Sequence, residues 1–162
     1  MTQENKNLLL KDLCARLPYG VKCTWFIECI LTRNRVDYIG ELIDICKVIK
    51  TNGYAYWDCY FHNSEDEDDY EYSEIPIEIV KPYLRPMSSM TEEEKKEFSI
   101  FIGKTETYRQ QICLDSDSMC NPTIGGYKCV YWGLFDKCFD WLNAHHFDYR
   151  GLIEKGLAIE AP

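Results

Sequence analysis

Residues 36–62 read Val36-Asp-Tyr-Ile-Gly-Glu-Leu-Ile-Asp-Ile-Cys-Lys-Val-Ile-Lys-Thr-Asn-Gly-Tyr-Ala-Tyr-Trp-Asp-Cys-Tyr-Phe-His62, and this stretch decides the fold. Its centre, Thr51-Asn-Gly53, is a turn signal typical of a β-hairpin. Residues 54–62 alternate between two sets of side chains that both contain aromatic rings, which predicts a strand. Residues 36–50 fit a helix nearly as well as a strand, but their content of Ile, Val and Tyr favours a strand. We therefore expect a hairpin here.

A further strand and a helix precede this hairpin. Residues 21–31 are rich in β-branched and aromatic side chains and predict a strand. Leu9, Leu13 and Leu17 recur every four residues, which predicts a helix over 5–17. Pro18-Tyr-Gly20 is expected to end that helix.

Two more helices are predicted after the hairpin. Residues 75–84 predict a short element that is restricted by prolines at positions 76, 82 and 86. Thr91 is a good N-cap with Glu94 at the capping-box position, so a helix should start here and fade near Tyr108. Gly125-Gly126 marks a turn, and a last helix should run from about Tyr131 to His145. These elements predict an α+β fold, in which a small, mainly antiparallel sheet built from residues 21–62 packs against about three helices. We expect one domain over 1–162 with an acidic loop at about 64–74.

Composition excludes several classes of function. Residues 65–78 carry eight acidic side chains and no Lys or Arg, so they account for −8 of the net charge of −9. No basic stripe offsets this charge, which argues against direct binding to nucleic acid. No stretch is long and apolar enough to span a membrane, and the polar N-terminus does not resemble a secretory signal. We therefore expect a cytoplasmic protein that does not bind membranes, with its nine cysteines reduced and mostly acting as small apolar side chains.

Two blocks of sequence carry a family resemblance. The first is Val80-Lys-Pro-Tyr-Leu-Arg-Pro-Met-Ser-Ser-Met-Thr-Glu-Glu-Glu94, and the second is residues 141–162 with Trp-Leu-Asn-Ala-His-His-Phe-Asp-Tyr-Arg-Gly-Leu-Ile at their start. Together with residues 11–21 they resemble a family of small uncharacterised proteins of gut bacteria, their phages and mobile elements. The resemblance covers about a third of the chain. It implies an accessory protein whose common scaffold frames a variable middle, and it assigns no catalytic residue.

The second block also holds the candidate catalytic residues His145, His146 and Asp148. Histidine serves as a general acid or base and as a metal ligand, and a nearby carboxylate can orient it. However, neighbouring residues on a helix diverge by about 100°, so two adjacent histidines rarely share one ligand. The alternative is that the histidines continue the apolar helix face and cap its end. The sequence favours this alternative and predicts no metal site.

Three other residues are candidates for binding a ligand or partner. Trp57 and Tyr60 belong to the aromatic hairpin, which would form a binding surface if its rings are exposed. Arg150 could bind an anionic group, or it could pair with Asp148 in a turn that uses Gly151 at positive φ. No phosphate-binding loop and no serine nucleophile elbow is present, and the sequence implies no cofactor.

These observations favour a non-catalytic accessory module over an enzyme. Such a module of a phage or mobile element would bind a host protein or sequester a small molecule. A small hydrolase using His145 or His146 with an acidic partner is the first alternative, and an acidic mimic of nucleic acid is the second. The sequence leaves homo-oligomer formation open.

Overall fold

A computed structural model describes residues 1–28, 33–62, 74–101, 123–124, 127–128 and 135–162. Several predicted features lie outside these residues. They are the end of the first strand at 29–31, the acidic loop up to residue 73, the continuation of the second helix towards Tyr108, the Gly125–Gly126 turn and the start of the last helix at 131–134. Within the described residues the chain divides into two compact units, one made of residues 1–84 and 152–162 and the other of residues 85–151.

The elements confirm the predicted α+β class. The helices are α1 (Gln3–Arg16), α2 (Glu92–Phe101) and α3 (Phe135–Ala144). The strands are β1 (Lys22–Glu28), β2 (Arg35–Ile49), β3 (Ala55–His62), β4 (Ile75–Pro76), β5 (Lys81–Leu84), β6 (Thr123–Ile124), β7 (Tyr127–Lys128) and β8 (Ile159–Glu160). Six strands form a sheet in the order β4-β3-β2-β1-β5-β8, and only β5 and β8 pair in parallel.

In the first unit, local signals set the helix and the hairpin. The Thr2 hydroxyl accepts the Asn5 amide at 3.2 Å, so α1 begins two residues before the predicted start. Residues 36–50, which the sequence left open between helix and strand, belong to β2. The turn at 51–53 is confirmed, because the Lys50 amide donates to the Tyr54 carbonyl at 2.8 Å. The sheet is larger than predicted, since it also contains β4, β5 and β8. The sequence does not reveal these strands because each is too short to show a periodic pattern.

The core of this unit lies between α1 and one side of the sheet. Leu9 and Leu13 of α1 are fully buried, as their spacing predicted. Cys23 and Cys59 are also fully buried free thiols, which confirms that they act as small apolar side chains. Other buried members are Val21, Trp25, Leu42, Phe61, Ile75, Ile77, Val80, Leu84, Leu152, Leu157 and Ala158.

Close packing in this core requires a glycine in β2. The Trp25 ring stacks on the Phe61 ring with centroids 4.2 Å apart. A Cβ atom on Gly40 would lie 2.8 Å from the His62 carbonyl oxygen and 3.0 Å from the Trp25 ring. Only a residue without a side chain lets these groups approach.

The second unit contains α2, α3 and the antiparallel pair of β6 and β7. The predicted capping box at the start of α2 is confirmed. The Thr91 amide donates to the Glu94 carboxylate at 2.8 Å, and the Glu94 amide donates to the Thr91 hydroxyl at 3.2 Å. Among the described residues, the core of the unit contains Met90, Phe98, Cys138, Leu142 and Phe147.

Candidate functional site

His145 packs against the end of α3. Its ring stacks on the Trp141 ring with centroids 3.9 Å apart. Its Nδ1 lies 2.8 Å from the Trp141 carbonyl oxygen, and because a carbonyl can only accept, this nitrogen is the donor. The Trp141 carbonyl also accepts the His145 amide at 3.1 Å, so the imidazole adds a second hydrogen bond to a carbonyl of the last helical turn.

His146 follows in a different conformation. It has a φ of 56°, so it does not continue the helix face that the sequence suggested. The His146 amide donates to the Asn143 carbonyl at 3.1 Å, and the Phe147 amide donates to the Leu142 carbonyl at 2.9 Å. These two bonds, with Phe147 and Leu142 packed together in the core, form a Schellman motif. The two histidines are thus separated by a change of backbone conformation.

Asp148 and Arg150 lie in the segment that follows. Asp148 is 9% exposed, and its amide donates to the Arg85 carbonyl at 2.7 Å. The Arg150 guanidinium lies over the Tyr149 ring, 4.6 Å from its centroid. Gly151 has the predicted positive φ, at 69°. Within the described residues, no group of three His, Cys, Asp or Glu side chains is placed to hold a metal ion.

The sequence analysis does not predict the role of Arg85, whose side chain contacts both Glu94 and Phe147. Its guanidinium donates to both carboxylate oxygens of Glu94, at 2.7 and 2.9 Å. It also lies 4.4 Å from the centroid of the Phe147 ring. The hydrogen bond from Arg85 lowers the pKa of Glu94 to about 2. A pair nine residues apart has no helical spacing, so no sequence pattern announces it.

The two aromatic candidates of the hairpin lie on opposite sides of the sheet. Trp57 packs against the hydrophobic core. Tyr60 lies on the other side, because neighbouring strand residues alternate between faces. The side of the hairpin opposite to the core, the hairpin face, is formed by Asp44, Cys46, Tyr56, Asp58 and Tyr60.

A buried carboxylate lies at the centre of the hairpin face. Asp58 is only 2% exposed, and it is paired across the strands with Cys46 on β2 and Pro76 on β4. Burial raises the pKa of Asp58, and the negative charges of Glu74 and Glu78 raise it further. Next to it, the Cys46 thiol donates to the Asp44 carboxylate at 3.4 Å, and this bond raises the pKa of the Cys46 thiol.

A second feature is an open backbone edge on β2. The hydrogen bond between Lys50 and Tyr54 fixes the ladder, so Ile45, Lys47 and Ile49 direct their backbone groups away from β3. The Ile45 amide donates to the carboxylate of the preceding residue, Asp44, at 2.7 Å. On the β1 side, pairing ends where the Leu42 amide donates to the Val21 carbonyl. In the part of the chain that the structure describes, no strand pairs with this edge beyond Leu42.

Large exposed apolar side chains lie along the same strands. Ile49 is 67% exposed at the end of the open edge, and Ile43 is 36% exposed at its start. Exposed apolar residues elsewhere in β1, β2 and the turn are Ile27, Val36, Tyr38, Ile39 and Tyr54. A concentration of apolar side chains next to free backbone groups is typical of an interaction surface.

Comparisons with known proteins identify no relative. No family model, no curated protein and no solved structure matches the chain. Among the described residues, no helix has the length and apolar character needed to cross a membrane.

Proposed function

We propose that this protein is a non-catalytic accessory module of a phage or mobile element that binds a host protein by strand addition. An extended segment of the partner would pair with β2 along Ile45–Ile49. The observation that carries the proposal is the open edge of β2, where Lys47 and Ile49 direct backbone donors and acceptors away from β3. Only another extended backbone satisfies such a row of groups in register.

Catalysis has less support from the geometry. The Nδ1 of His145 is engaged by the Trp141 carbonyl, and the His145 ring is stacked on the Trp141 ring. His146 occupies the left-handed position of the Schellman motif. Both histidines therefore have a structural role at the end of α3, whereas no described strand pairs with the outward backbone groups of Lys47 and Ile49.

The charge on the edge favours a partner protein over a second copy of this chain. Lys47 is exposed at the centre of the open edge. A twofold antiparallel pairing centred on residue 45, 46 or 47 would place Lys47 opposite Ile43, Ile45 or another Lys47. None of these registers gives the ammonium group an acidic neighbour, and a lysine on an edge strand opposes self-association. The proposed partner segment therefore carries an acidic residue opposite Lys47, between apolar residues.

Two synthetic peptides test this proposal. Each has ten residues in which valine and threonine alternate around one central residue, which is glutamate in the first peptide and lysine in the second. The glutamate peptide should bind more tightly in calorimetry, and the amide signals of Lys47 and Ile49 should shift and become protected from exchange in NMR spectra. Lys47→Glu should reverse the preference between the peptides. Lys47→Pro should abolish binding of both, because it removes an outward N–H while leaving the bonds to β3 intact.

The matched control is Lys11→Glu, which makes the same change of charge at an exposed position of α1. It should leave the preference for the glutamate peptide unchanged. Strand addition is wrong if Lys47→Pro binds either peptide as well as the unchanged protein does. If sedimentation instead shows a dimer that Lys47→Pro dissociates, the edge is covered by a second copy and the proposed partner protein is wrong.

A further inference from the structure

The first outward amide of the open edge is already bonded within the chain. Ile45, Lys47 and Ile49 direct their backbone groups away from β3. The Ile45 amide donates to one carboxylate oxygen of Asp44 at 2.7 Å. A carboxylate that accepts a backbone amide gives that amide an alternative to pairing in a sheet. A strand added to this edge therefore has to compete with Asp44 for the Ile45 amide.

The Asp44 carboxylate is held in this position from both sides. Its second oxygen accepts the Cys46 thiol at 3.4 Å, so each oxygen has its own donor. The register between β2 and β3 shifts between Leu42 and Asp44, as in a β-bulge. Bulges re-aim side chains of their strand and end regular pairing. The carboxylate thus lies where β2 changes from a paired strand to an open edge on the β1 side.

Pairing with β1 stops next to this bulge. The Leu42 amide donates to the Val21 carbonyl at 3.0 Å, and the residue before Val21, Gly20, has a φ of 64°, so the chain leaves the strand direction there. Along β2, a residue bonded to β1 is followed by the bulge, then by the amide bonded to Asp44, and then by two further outward amides. Natural sheets use bulges and charged side chains to limit pairing at an edge.

We propose that Asp44 is a specificity-determining residue of the open edge, which ends an added strand at Ile45 so that the partner bonds the amides of Lys47 and Ile49 only. This role of Asp44 rests on the proposed strand addition and names the kind of segment that fits. The extended part of the partner is short, and its chain leaves the sheet beside the Asp44 carboxylate. A longer strand would have to take the Ile45 amide from a charged acceptor, and hydrogen bonds to charged groups are among the stronger ones.

The test follows the Ile45 amide by NMR while the glutamate peptide is added. In the unchanged protein, the Ile45 amide nitrogen should show a coupling through the hydrogen bond to the Asp44 carboxyl carbon. The coupling should persist when the peptide protects the Lys47 and Ile49 amides from exchange. Asp44→Ala removes the acceptor, so the Ile45 amide should exchange faster in the free variant and become protected by the peptide. The longer pairing should raise the affinity about two- to tenfold, as expected for one additional net hydrogen bond.

Two control variants separate the hydrogen bond from the loss of a charge. Asp44→Asn keeps an oxygen that can accept the Ile45 amide, and it should bind the peptide as the unchanged protein does. Asp37→Ala removes an exposed carboxylate from the part of β2 that pairs with β1, and it should also bind unchanged. Equal affinities of Asp44→Ala and Asp37→Ala would overturn the role of Asp44.

The coupling in the unchanged protein decides the question even where Asp44→Ala does not fold. The role of Asp44 is overturned if this coupling is absent, or if the peptide abolishes it and protects the Ile45 amide together with those of Lys47 and Ile49. Strand addition itself remains correct in that case. If the peptide protects neither Lys47 nor Ile49 in any of these proteins, strand addition is wrong and the role of Asp44 in specificity is wrong with it.

Discussion

The pair formed by Arg85 and Glu94 permits a quantitative prediction about stability. Glu94→Gln keeps the length and shape of the side chain and leaves an oxygen that can still accept the Thr91 amide. It removes the charge that receives both hydrogen bonds from Arg85, at 2.7 and 2.9 Å. The substitution therefore tests the charge of the pair while preserving most of the capping box.

The size of the effect follows from the Glu94 pKa, which is lowered from 4.5 to about 2. Converted directly, this difference corresponds to roughly 3 kcal/mol of net stabilisation of the charged form of Glu94, mainly by Arg85 and in part by the hydrogen bonds with Thr91. The side chains are 31% and 17% exposed, so solvent screens part of the attraction. We expect Glu94→Gln to lower the free energy of unfolding by about 1–2 kcal/mol at pH 7.

The same linkage fixes the direction of the pH dependence. Because the pKa of Glu94 is lower in the folded protein, its stabilisation is fully present above about pH 4.5 and is lost as the pH falls towards 2. Urea unfolding of both proteins, followed by circular dichroism at several pH values, measures this. The difference between the unchanged protein and Glu94→Gln should be constant from pH 5 to pH 7 and should shrink to near zero at pH 2.

Glu92→Gln is the control within the same helix. Glu92 also forms an ion pair, with Lys95, but its side chain is 84% exposed. Its replacement should change the free energy of unfolding by less than about 0.5 kcal/mol. A cost for Glu94→Gln that equals the cost for Glu92→Gln, or that persists unchanged at pH 2, would refute the role given to Arg85.

Two further substitutions test the packing and backbone arguments. Gly40→Ala should lower the free energy of unfolding by roughly 1–3 kcal/mol, because the new Cβ would lie 2.8 Å from the His62 carbonyl oxygen. Urea unfolding checks this, and an unchanged midpoint would contradict the close approach. His146→Gly should be more stable than His146→Ala by about 1 kcal/mol, since both remove the imidazole but only glycine adopts a φ of 56° without strain. Equal melting temperatures of these two variants would argue against the Schellman motif.

Much of the fold could be predicted because its signals are local. The start of α2 depends on Thr91 and Glu94, three residues apart, and the structure contains both predicted hydrogen bonds. The turn before β3 depends on residues 51–53 and is also confirmed. In contrast, the sequence pattern of residues 36–50 left helix and strand nearly equal. Pairing with β1 and β3 decided for the strand, and that contact is not local.

The candidate sites were harder to predict, because they depend on burial and on pairs distant in sequence. Asp58 appeared only as one member of an alternating strand, and nothing in its neighbours showed that its carboxylate would be buried. Tyr60 is one of the candidates that the sequence gives for binding a ligand or partner, and it lies on the same face as Asp58. Trp57 is the second aromatic candidate, but its side chain packs against the core. Aromatic content does not indicate which side of the hairpin faces the core.

The sequence by itself determined the α+β class, the start of α2 and the hairpin, because capping, turns and periodicity act between residues close in the chain. It also indicated that a histidine ring bonds a carbonyl in the last turn of α3, as His145 does. Only the tertiary structure decided that Arg85 pairs with Glu94, that no described strand pairs with the β1 side of β2 beyond Leu42, and that Asp58 is buried. Each of these properties depends on contacts between segments that are distant in sequence. Such contacts bury a charged group or supply its partner, and both effects change its free energy more than its sequence neighbours do.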